Sequence, residues 1–314
     1  MRTILSGDGG GIRGIIQVCE LIELERQMGK PVRECVDMLV GTSTFALQAA
    51  ALAAGVPAVD LLPLYTEAAP NEIFRTDAFT MAQYITHGFK FQSDDIAKVM
   101  RRALGPAAGW TLNDCPLRIL LTGVHVSHKP LYFVQDTARN AKTTGRLSLL
   151  DCCVASAAAP TYFTPRYVSP LPAGEQGPIW PGSELVGKVF DGGTGVLANP
   201  VYRGCKEAFD YDDFDPKDTR VVSLGTGTYD NPHSEVNEPV GLLPMVSWVI
   251  STLFSTIADE QTAMVEDMYP GIMRRINCKL PRAIDEADMT AIPELLAVGK
   301  AAAAAMDWKA ILGE

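Results

Sequence analysis

Residues that build metal centres and disulfide frameworks are sparse or badly spaced in this chain. Its seven cysteines form an odd set with no Cys-x-x-Cys spacing. That pattern favours reduced, buried thiols over disulfides or zinc ligands. Histidine is also scarce, with four residues: His87, His125, His128 and His233. We therefore expect no metal site and no cofactor.

Positively charged residues are fewer than negatively charged ones. The chain carries 27 Lys and Arg residues against 37 Asp and Glu residues, a formal net charge of −10. Nucleic-acid binding and electrostatic attraction to anionic lipid both need an excess of cationic side chains. The charge balance argues against both, and no nucleic-acid partner is expected.

Membrane-spanning, repeated and low-complexity segments are not evident. The uncharged stretch 239–258 includes Gly241, Pro244 and several hydroxyl side chains, so it is a weak transmembrane candidate. A packed or lid-like helix beginning near Met245 suits it better. The first strand pattern begins at Thr3, so we expect no leader segment and a cytoplasmic protein. With 47% apolar residues in 314, the chain is expected to form a single α/β domain over residues 1–314.

Glycine is concentrated between an early strand and a helix. A short strand pattern over residues 3–6 precedes the run Gly7-Asp8-Gly9-Gly10-Gly11-Ile12-Arg13-Gly14, and helical spacing of apolar residues follows. Successive backbone N–H groups at a helix N-terminus favour an anion. That anion is either a nucleotide phosphate or the oxyanion of an acyl-transfer intermediate.

The next strand decides between the two anions. A dinucleotide site needs an acidic residue at the end of that strand, and a Walker loop needs Gly-Lys-Ser/Thr. Here the strand Met38–Val40 ends in Gly41-Thr42-Ser43-Thr44, and an alanine-rich helical pattern follows. A serine at a strand–turn–helix apex projects its hydroxyl from a strained turn. The oxyanion interpretation explains this serine, so it is favoured, although an ordinary serine cap fits the turn alone.

An aspartate with two following glycines supplies a candidate base. A strand pattern over residues 186–190 ends in Asp191-Gly192-Gly193, which leaves the carboxylate unobstructed. An aspartate hydrogen-bonded to Ser43 can accept the hydroxyl proton directly. Taken alone, Asp-Gly-Gly is more often a simple turn.

Together these segments resemble the patatin-like phospholipases. The resemblance rests on these segments: Asp8–Gly14, Gly41–Thr44, Ala155–Phe163, Asp191–Gly193, Asn199-Pro200, Ser223–Gly227 and Arg275–Asn277. It implies a three-layer α/β/α fold with a central, mostly parallel sheet. It also implies a serine lipid acyl hydrolase of the phospholipase A or lysophospholipase type that works through an acyl-enzyme.

The resemblance also implies roles for individual residues. Ser43 would be the nucleophile and Asp191 its base in a Ser–Asp dyad. Gly9, Gly10 and Gly11 would form the oxyanion hole, with Arg13 ordering their loop. The supporting residues would be Gly41, Thr42, Thr44, Phe45, Gly192 and Gly193. The substrate would be a lipid or other acyl ester, reached through transient contact with a membrane surface, and the oligomeric state stays open.

One residue departs from the family pattern. Phe45 stands where the elbow normally has a second glycine, which lets neighbouring backbone approach closely. Its ring is expected to border or narrow the acyl channel, or else to pack in the core. If it displaces the glycine loop, the chain would be a weakened or acyl-transferring homologue that acts as a lipid-binding or regulatory module.

Other regions are assigned more coarsely. Residues 70–109, which are rich in aromatic side chains, are a possible cap over the site, and residues 240–314 are a predicted helical region. A rival Ser–Asp–His triad would use His233, which follows Asp191 in suitable order. The elbow appears on the second strand, earlier than that rival fold places it, so the dyad is favoured.

Overall fold

The structure is a computed structural model that describes residues 1–75, 84, 86, 88–140, 144–169, 187–195, 197–229 and 256–313. One eight-stranded sheet runs through these residues in the order β5-β6-β3-β2-β1-β7-β8, with β4 paired to β3 outside this path. The strands are β1 (Arg2–Gly7), β2 (Met38–Gly41), β3 (Arg118–His125), β4 (Pro130–Val134), β5 (Arg166–Val168), β6 (Gly187–Asp191), β7 (Thr219–Leu224) and β8 (Met273–Ile276).

The strands β3, β2, β1, β7 and β8 are neighbours in that order and pair in parallel. β4 and β6 pair antiparallel to β3, and β5 pairs antiparallel to β6. The prediction of a mostly parallel central sheet is therefore confirmed. The helices are α1 (Ile15–Met28), α2 (Thr44–Ala54), a π-helix (Leu64–Ile73), Ser93–Leu104, Leu149–Ser156, Val201–Asp210, 256–268, Ile292–Ala304 and Trp308–Leu312.

Hydrophobic side chains leave the sheet on both faces because successive strand residues alternate. On β1, Leu5 joins a large core that includes α1, α2 and the helices Ser93–Leu104 and Leu149–Ser156. Its neighbour Ile4 joins a second core with Val201 and Cys205 of the helix Val201–Asp210. Helices thus cover both faces, which confirms the three-layer α/β/α prediction.

The glycine loop and the serine turn lie side by side because β1 and β2 are adjacent. The two strands pair in parallel and end together, with Gly7 opposite Gly41. A 3-10 turn, Gly11–Gly14, connects the first loop to α1, and α2 begins directly after Ser43. Loops at the carboxyl ends of parallel strands gather at one edge of a sheet, where ligands bind in open α/β folds.

The described part of the region 240–314 contains both helices and a strand. It adds three helices, and it also adds β8, which pairs with β7 through Val221–Met273 and the following residues. The helix Ile292–Ala304 packs on α1, where a Cβ at Gly299 would lie 3.0 Å from Cys19 Sγ. The lid-like helix expected near Met245 lies outside the described residues.

Within the described ranges, we find no helix with both the length and the apolar character needed to cross a bilayer.

Candidate active site

Ser43 sits at a strained turn between β2 and α2. Its backbone adopts φ 54° and ψ −124°, a conformation that L-residues rarely take outside functional sites. Gly41 permits the turn, since a Cβ there would lie 2.9 Å from the Phe45 carbonyl oxygen. The Ser43 N–H donates to Ser156 Oγ at 3.1 Å, and the residue is 6% exposed. The strain and the fixed backbone hold the hydroxyl in one place.

Strand register brings Asp191 to the same point. β3 pairs with β2 up to Leu121, opposite Gly41, and then pairs with β6 from Gly123, opposite Asp191. Because β6 runs antiparallel to β3, its last residue arrives just beyond the end of β2. The structure therefore brings Asp191 next to the Ser43 turn, although the two residues are far apart in sequence.

Two threonines and a glycine close the space between these strand ends. The hydroxyls of Thr42 and Thr122 lie 2.7 Å apart, and Thr42 also donates to the Leu197 carbonyl at 2.6 Å. A Cβ at Gly192 would lie 2.0 Å from Thr122 Oγ1, so only glycine fits there. The supporting residues Thr42 and Gly192 thus fix how closely the end of β6 approaches the serine turn.

The Asp191 carboxyl is fully buried. Its Oδ1 accepts the Gly193 N–H at 2.7 Å, while Oδ2 has no aligned donor among the described residues. Burial raises the pKa of Asp191 to about 7, and the Ser43 hydroxyl and the Gly193 N–H oppose that rise. A carboxyl with a pKa near neutrality beside a serine hydroxyl is suited to accept and return a proton.

The glycine loop, which adjoins the Ser43 turn, carries the backbone amides expected to act as donors. The Gly9 N–H is engaged, since it donates to the Ala198 carbonyl at 2.9 Å. The Gly10 and Gly11 N–H groups make no hydrogen bond to any described residue, and Gly11 has the left-handed φ of 54°. Of the three glycines expected to donate, two therefore keep an amide available for an oxyanion.

Two arginines hold the loop. Arg13 Nε donates to the Gly10 carbonyl at 3.5 Å, in line with its expected ordering role. Behind the loop, Arg275 forms a bidentate ion pair with Asp8, in which Nη1 lies 2.8 Å from Oδ1. The same nitrogen donates to Ser223 Oγ at 2.9 Å. In the sequence, Arg275 belongs only to one segment of the family resemblance, and its pairing with Asp8 shows what it does physically.

A buried polar cluster ties the start of α2 to the π-helix. The hydroxyls of Thr44 and Tyr65 lie 2.5 Å apart, and Gln48 Nε2 donates to Tyr65 Oη at 2.8 Å and to the Gly14 carbonyl at 3.1 Å. Burial raises the pKa of Tyr65 to about 12, so it remains a neutral donor. Tyr65 and Gln48 were not identified from the sequence, because neither belongs to a motif.

An apolar pocket with a cavity volume of about 80 Å³ opens beside Ser43. Its walls come mainly from α2, the π-helix, the helix Ser93–Leu104 and the segment 157–163. Representative lining side chains are Leu47, Ala69, Ile73, Val99, Met100 and Phe163. Five residues of the region 70–109 line this pocket, and the role of that region as a cap stays a prediction. A mostly apolar pocket with few polar groups is suited to a hydrocarbon chain.

Phe45 does not line this pocket. It is fully buried in the larger core, and a Cβ at Gly7 would lie 2.0 Å from its ring. Of the two placements expected for its ring, the structure shows packing in the core and not at the acyl channel, because Gly7 leaves space for the ring. The elbow keeps its form with phenylalanine since the missing glycine is compensated by a glycine on the adjacent strand.

The histidines give little support to a triad. His125 and His128 lie at the turn between β3 and β4, where His125 Nδ1 contacts Ser127 Oγ at 2.7 Å. Neither lines the pocket. His87 and His233 lie outside the described residues.

A family model and several related proteins match this chain, and their descriptions agree with one another. A family model described as Patatin-like phospholipase matches residues 5–202. A cGAMP-activated phospholipase of Vibrio cholerae serotype O1 is 28% identical over 242 residues, which cover 71% of this chain and 63% of that protein. Patatin-03 of Solanum tuberosum is 27% identical over 263 residues, which cover 74% of this chain and 63% of that protein. The chain thus spans less than two thirds of the length of these relatives.

One solved structure illustrates how distant the structural neighbours are. The crystal structure of VipD from Legionella pneumophila aligns with a TM-score of 0.45 and 13% identity, covering 99% of this chain and 66% of that one. A likeness this weak supports no inference about the site.

Proposed function

Because this chain belongs to the patatin-like phospholipase family, we propose that it hydrolyses acyl esters of lipids through a Ser43–Asp191 dyad. The observation that carries the proposal is the pairing of a strained serine with a buried carboxyl whose pKa is raised to about 7. Two unengaged glycine amides and an apolar pocket adjoin this pair.

The proposed reaction begins with attack of Ser43 Oγ on the ester carbonyl carbon. Asp191 accepts the hydroxyl proton as the carbon–oxygen bond forms, and the Gly10 and Gly11 N–H groups stabilise the oxyanion. Collapse breaks the ester bond, and Asp191 returns the proton to the departing alcohol. The acyl group is then attached to Ser43.

Deacylation uses the same groups. Asp191 takes a proton from water, whose oxygen attacks the acyl carbonyl carbon, and the second oxyanion occupies the same amide site. Collapse releases the fatty acid, and the proton returns to Ser43. The pocket supports this proposal since its walls are apolar next to the nucleophile, which suits the acyl chain of a lipid that is drawn transiently from a membrane surface.

The position of Phe45 argues against the alternative of a catalytically disabled lipid-binding module. That alternative rested on Phe45 displacing the glycine loop or obstructing the channel, and the ring instead fills the space above Gly7. The Arg13 hydrogen bond to the Gly10 carbonyl and the Gly9 hydrogen bond to Ala198 support an ordered loop.

A fluorophosphonate probe tests the proposal, because it reacts only with an activated serine. We expect labelling at Ser43, located by mass spectrometry, and release of fatty acid from phospholipid or lysophospholipid vesicles. Asp191→Asn should lose both labelling and hydrolysis while its melting temperature shows a folded protein. Absence of labelling at Ser43 in a wild-type protein that still binds lipid would contradict the proposal and favour the binding module.

A further inference from the structure

Glu286 is the single charged side chain among the described residues that line the pocket. It lies in an irregular segment between β8 and the helix Ile292–Ala304, beyond residue 202, where the family match ends. A charged group in an apolar pocket lowers the stability of the folded protein unless it is paired with an opposite charge or hydrogen-bonded. Its contacts lead to the glycine loop, and its charge affects the pKa of Asp191.

The backbone of Glu286 is attached to the glycine loop. Its carbonyl accepts the Ile12 N–H at 2.9 Å. A Cβ at Gly11 would lie 2.3 Å from that same carbonyl oxygen, so the segment packs directly on Gly11. The carbonyl therefore fixes the residue that follows the two amides proposed to hold the oxyanion.

The side chain of Glu286 makes a second attachment. Its Oε1 lies 3.2 Å from Arg13 Nη2, and the same guanidinium donates from Nε to the Gly10 carbonyl. Arg13 thus bridges Glu286 to the peptide group that contains the Gly10 carbonyl and the Gly11 N–H. The two side chains are only 20% and 26% exposed, so solvent weakens this pair less than it weakens a surface ion pair.

The charge of Glu286 also acts on Asp191. Burial is the largest cause of the raised pKa of Asp191, and the Ser43 hydroxyl and the Gly193 N–H lower that pKa. The negative charge of Glu286 raises it further by a smaller amount. The charged and titratable groups that face Glu286 are Arg13 from the glycine loop, Asp285 from its own segment and Tyr162 from the segment 157–163. Burial raises the pKa of Glu286, and Arg13 opposes that rise.

We propose that Glu286 is a positioning residue that holds the glycine loop by its carbonyl and through Arg13, and that places a negative charge in the pocket that Ser43 lines. This inference rests on the proposed function, because it assigns the loop to the oxyanion and Asp191 to the proton. The two tasks are separable, since one depends on the reach of the side chain and the other on its charge.

Two substitutions separate them. Glu286→Gln keeps the length and an acceptor for Arg13 but removes the charge, so the acidic limb of the pH profile should move to lower pH with little loss of kcat. Glu286→Asp keeps the charge but is shorter by one methylene, so kcat should fall by about 10-fold as the loop shifts, with a smaller change in KM. Its acidic limb should stay in place.

Asp285→Asn is the matched control. It removes one negative charge from the neighbouring residue, which contacts Tyr162 Oη at 3.4 Å and has no contact with Arg13. Its pH profile and kcat should match those of the wild type. The measurements are the rate of fluorophosphonate labelling of Ser43 and the turnover of a soluble ester from pH 5 to 9, with melting temperatures for each variant.

The outcomes are distinct. An acidic limb that is unchanged in Glu286→Gln overturns the electrostatic part, and an unchanged kcat in Glu286→Asp overturns the positioning part. If the glutamine variant fails to fold, the aspartate variant still decides the positioning part. Equal shifts in Asp285→Asn and Glu286→Gln would mean a general charge effect and would overturn the inference. Wild-type protein that is not labelled at all overturns the proposed function itself, which is a different result.

Discussion

The ring of Phe45 fills the space that a side chain on Gly7 would occupy. A Cβ at Gly7 would lie 2.0 Å from the ring, and no rotation of a neighbouring flexible group relieves that contact because Phe45 is fully buried. The large side chain of Phe45 on α2 is therefore accommodated because Gly7 on β1 has no side chain. This pairing explains how an elbow without its second glycine keeps its shape.

The pair predicts strong coupling between two substitutions. Phe45→Ala should lower the free energy of unfolding by about 3–5 kcal/mol through a cavity, with no gain in turnover on bulky esters. Gly7→Ala should cost about 1–3 kcal/mol or more through overpacking. The double variant should be less destabilised than the two single effects combined, as measured by denaturant unfolding. Additive losses, or faster hydrolysis in Phe45→Ala, would contradict the packing.

Ser43 and Asp191 should behave as one unit. Ser43→Ala and Asp191→Asn are each expected to remove most turnover, since the proton transfer needs both groups. The double variant should be little slower than either single variant. The measurement is kcat/KM on one ester for all four proteins, with wild type as reference. Independent, multiplicative losses would show that the two residues act in separate steps.

The raised pKa of Asp191 predicts opposite pH effects on activity and stability. The base acts when ionised, so kcat/KM should rise with pH through a midpoint near 7. The folded-state pKa of about 7 lies above the ordinary value of 3.8, so the carboxyl's contribution to stability is fully present below about 3.8. It is lost as pH rises through about 7, and the difference corresponds to roughly 4 kcal/mol.

Asp191→Asn should therefore become more stable than wild type as pH increases. Its melting temperature is expected to exceed that of wild type at pH 8.5 by more than at pH 5. The exposed Asp285→Asn serves as the control and should show no such trend. A stability difference that stays constant with pH would show that Asp191 is not titrating in the folded protein over this range.

Local features of the site could be predicted from the sequence, while long-range ones could not. The glycine loop and the Ser43 turn are each contained in one strand–turn–helix segment, so spacing and residue type suffice. The approach of Asp191 depends on where β3 changes partner from β2 to β6, and no motif encodes that register. The Asp-Gly-Gly pattern made Asp191 a candidate base, and the family resemblance favoured its pairing with Ser43 over a simple turn.

Other features of the structure depend on residues that are distant in sequence or lack a local pattern. The place of Phe45 is decided by Gly7, a residue whose own motif concerns a different loop. Glu286 lies in an irregular segment with no periodic pattern, so nothing local marked it. β8 was missed for a related reason: its Met273-Arg274-Arg275-Ile276 sequence has two central arginines and lacks the alternation of a half-buried strand.

The ion pair behind the glycine loop predicts a stability effect distinct from catalysis. Asp8 is 8% exposed at its side chain, and burial raises its pKa while Arg275 opposes that rise. Arg275→Met should therefore lower the free energy of unfolding by about 3–5 kcal/mol, because it leaves a buried carboxylate unpaired. Asp8→Asn in the same protein should recover part of the loss. A double variant as unstable as Arg275→Met would mean that the arginine acts through Ser223 or through packing alone.

The pocket predicts selectivity by chain length. Ala69 projects from the π-helix into the lining, and the residue is 4% exposed. Ala69→Phe should fill part of the pocket, so turnover on a sixteen-carbon ester should fall at least about 10-fold relative to a four-carbon ester. The short ester is the internal control, because it reaches Ser43 without entering the deeper pocket. Ala69→Ser, which hardly changes the volume, should leave the ratio unaltered. Equal losses on both esters in Ala69→Phe would show a distorted elbow rather than a shortened acyl site.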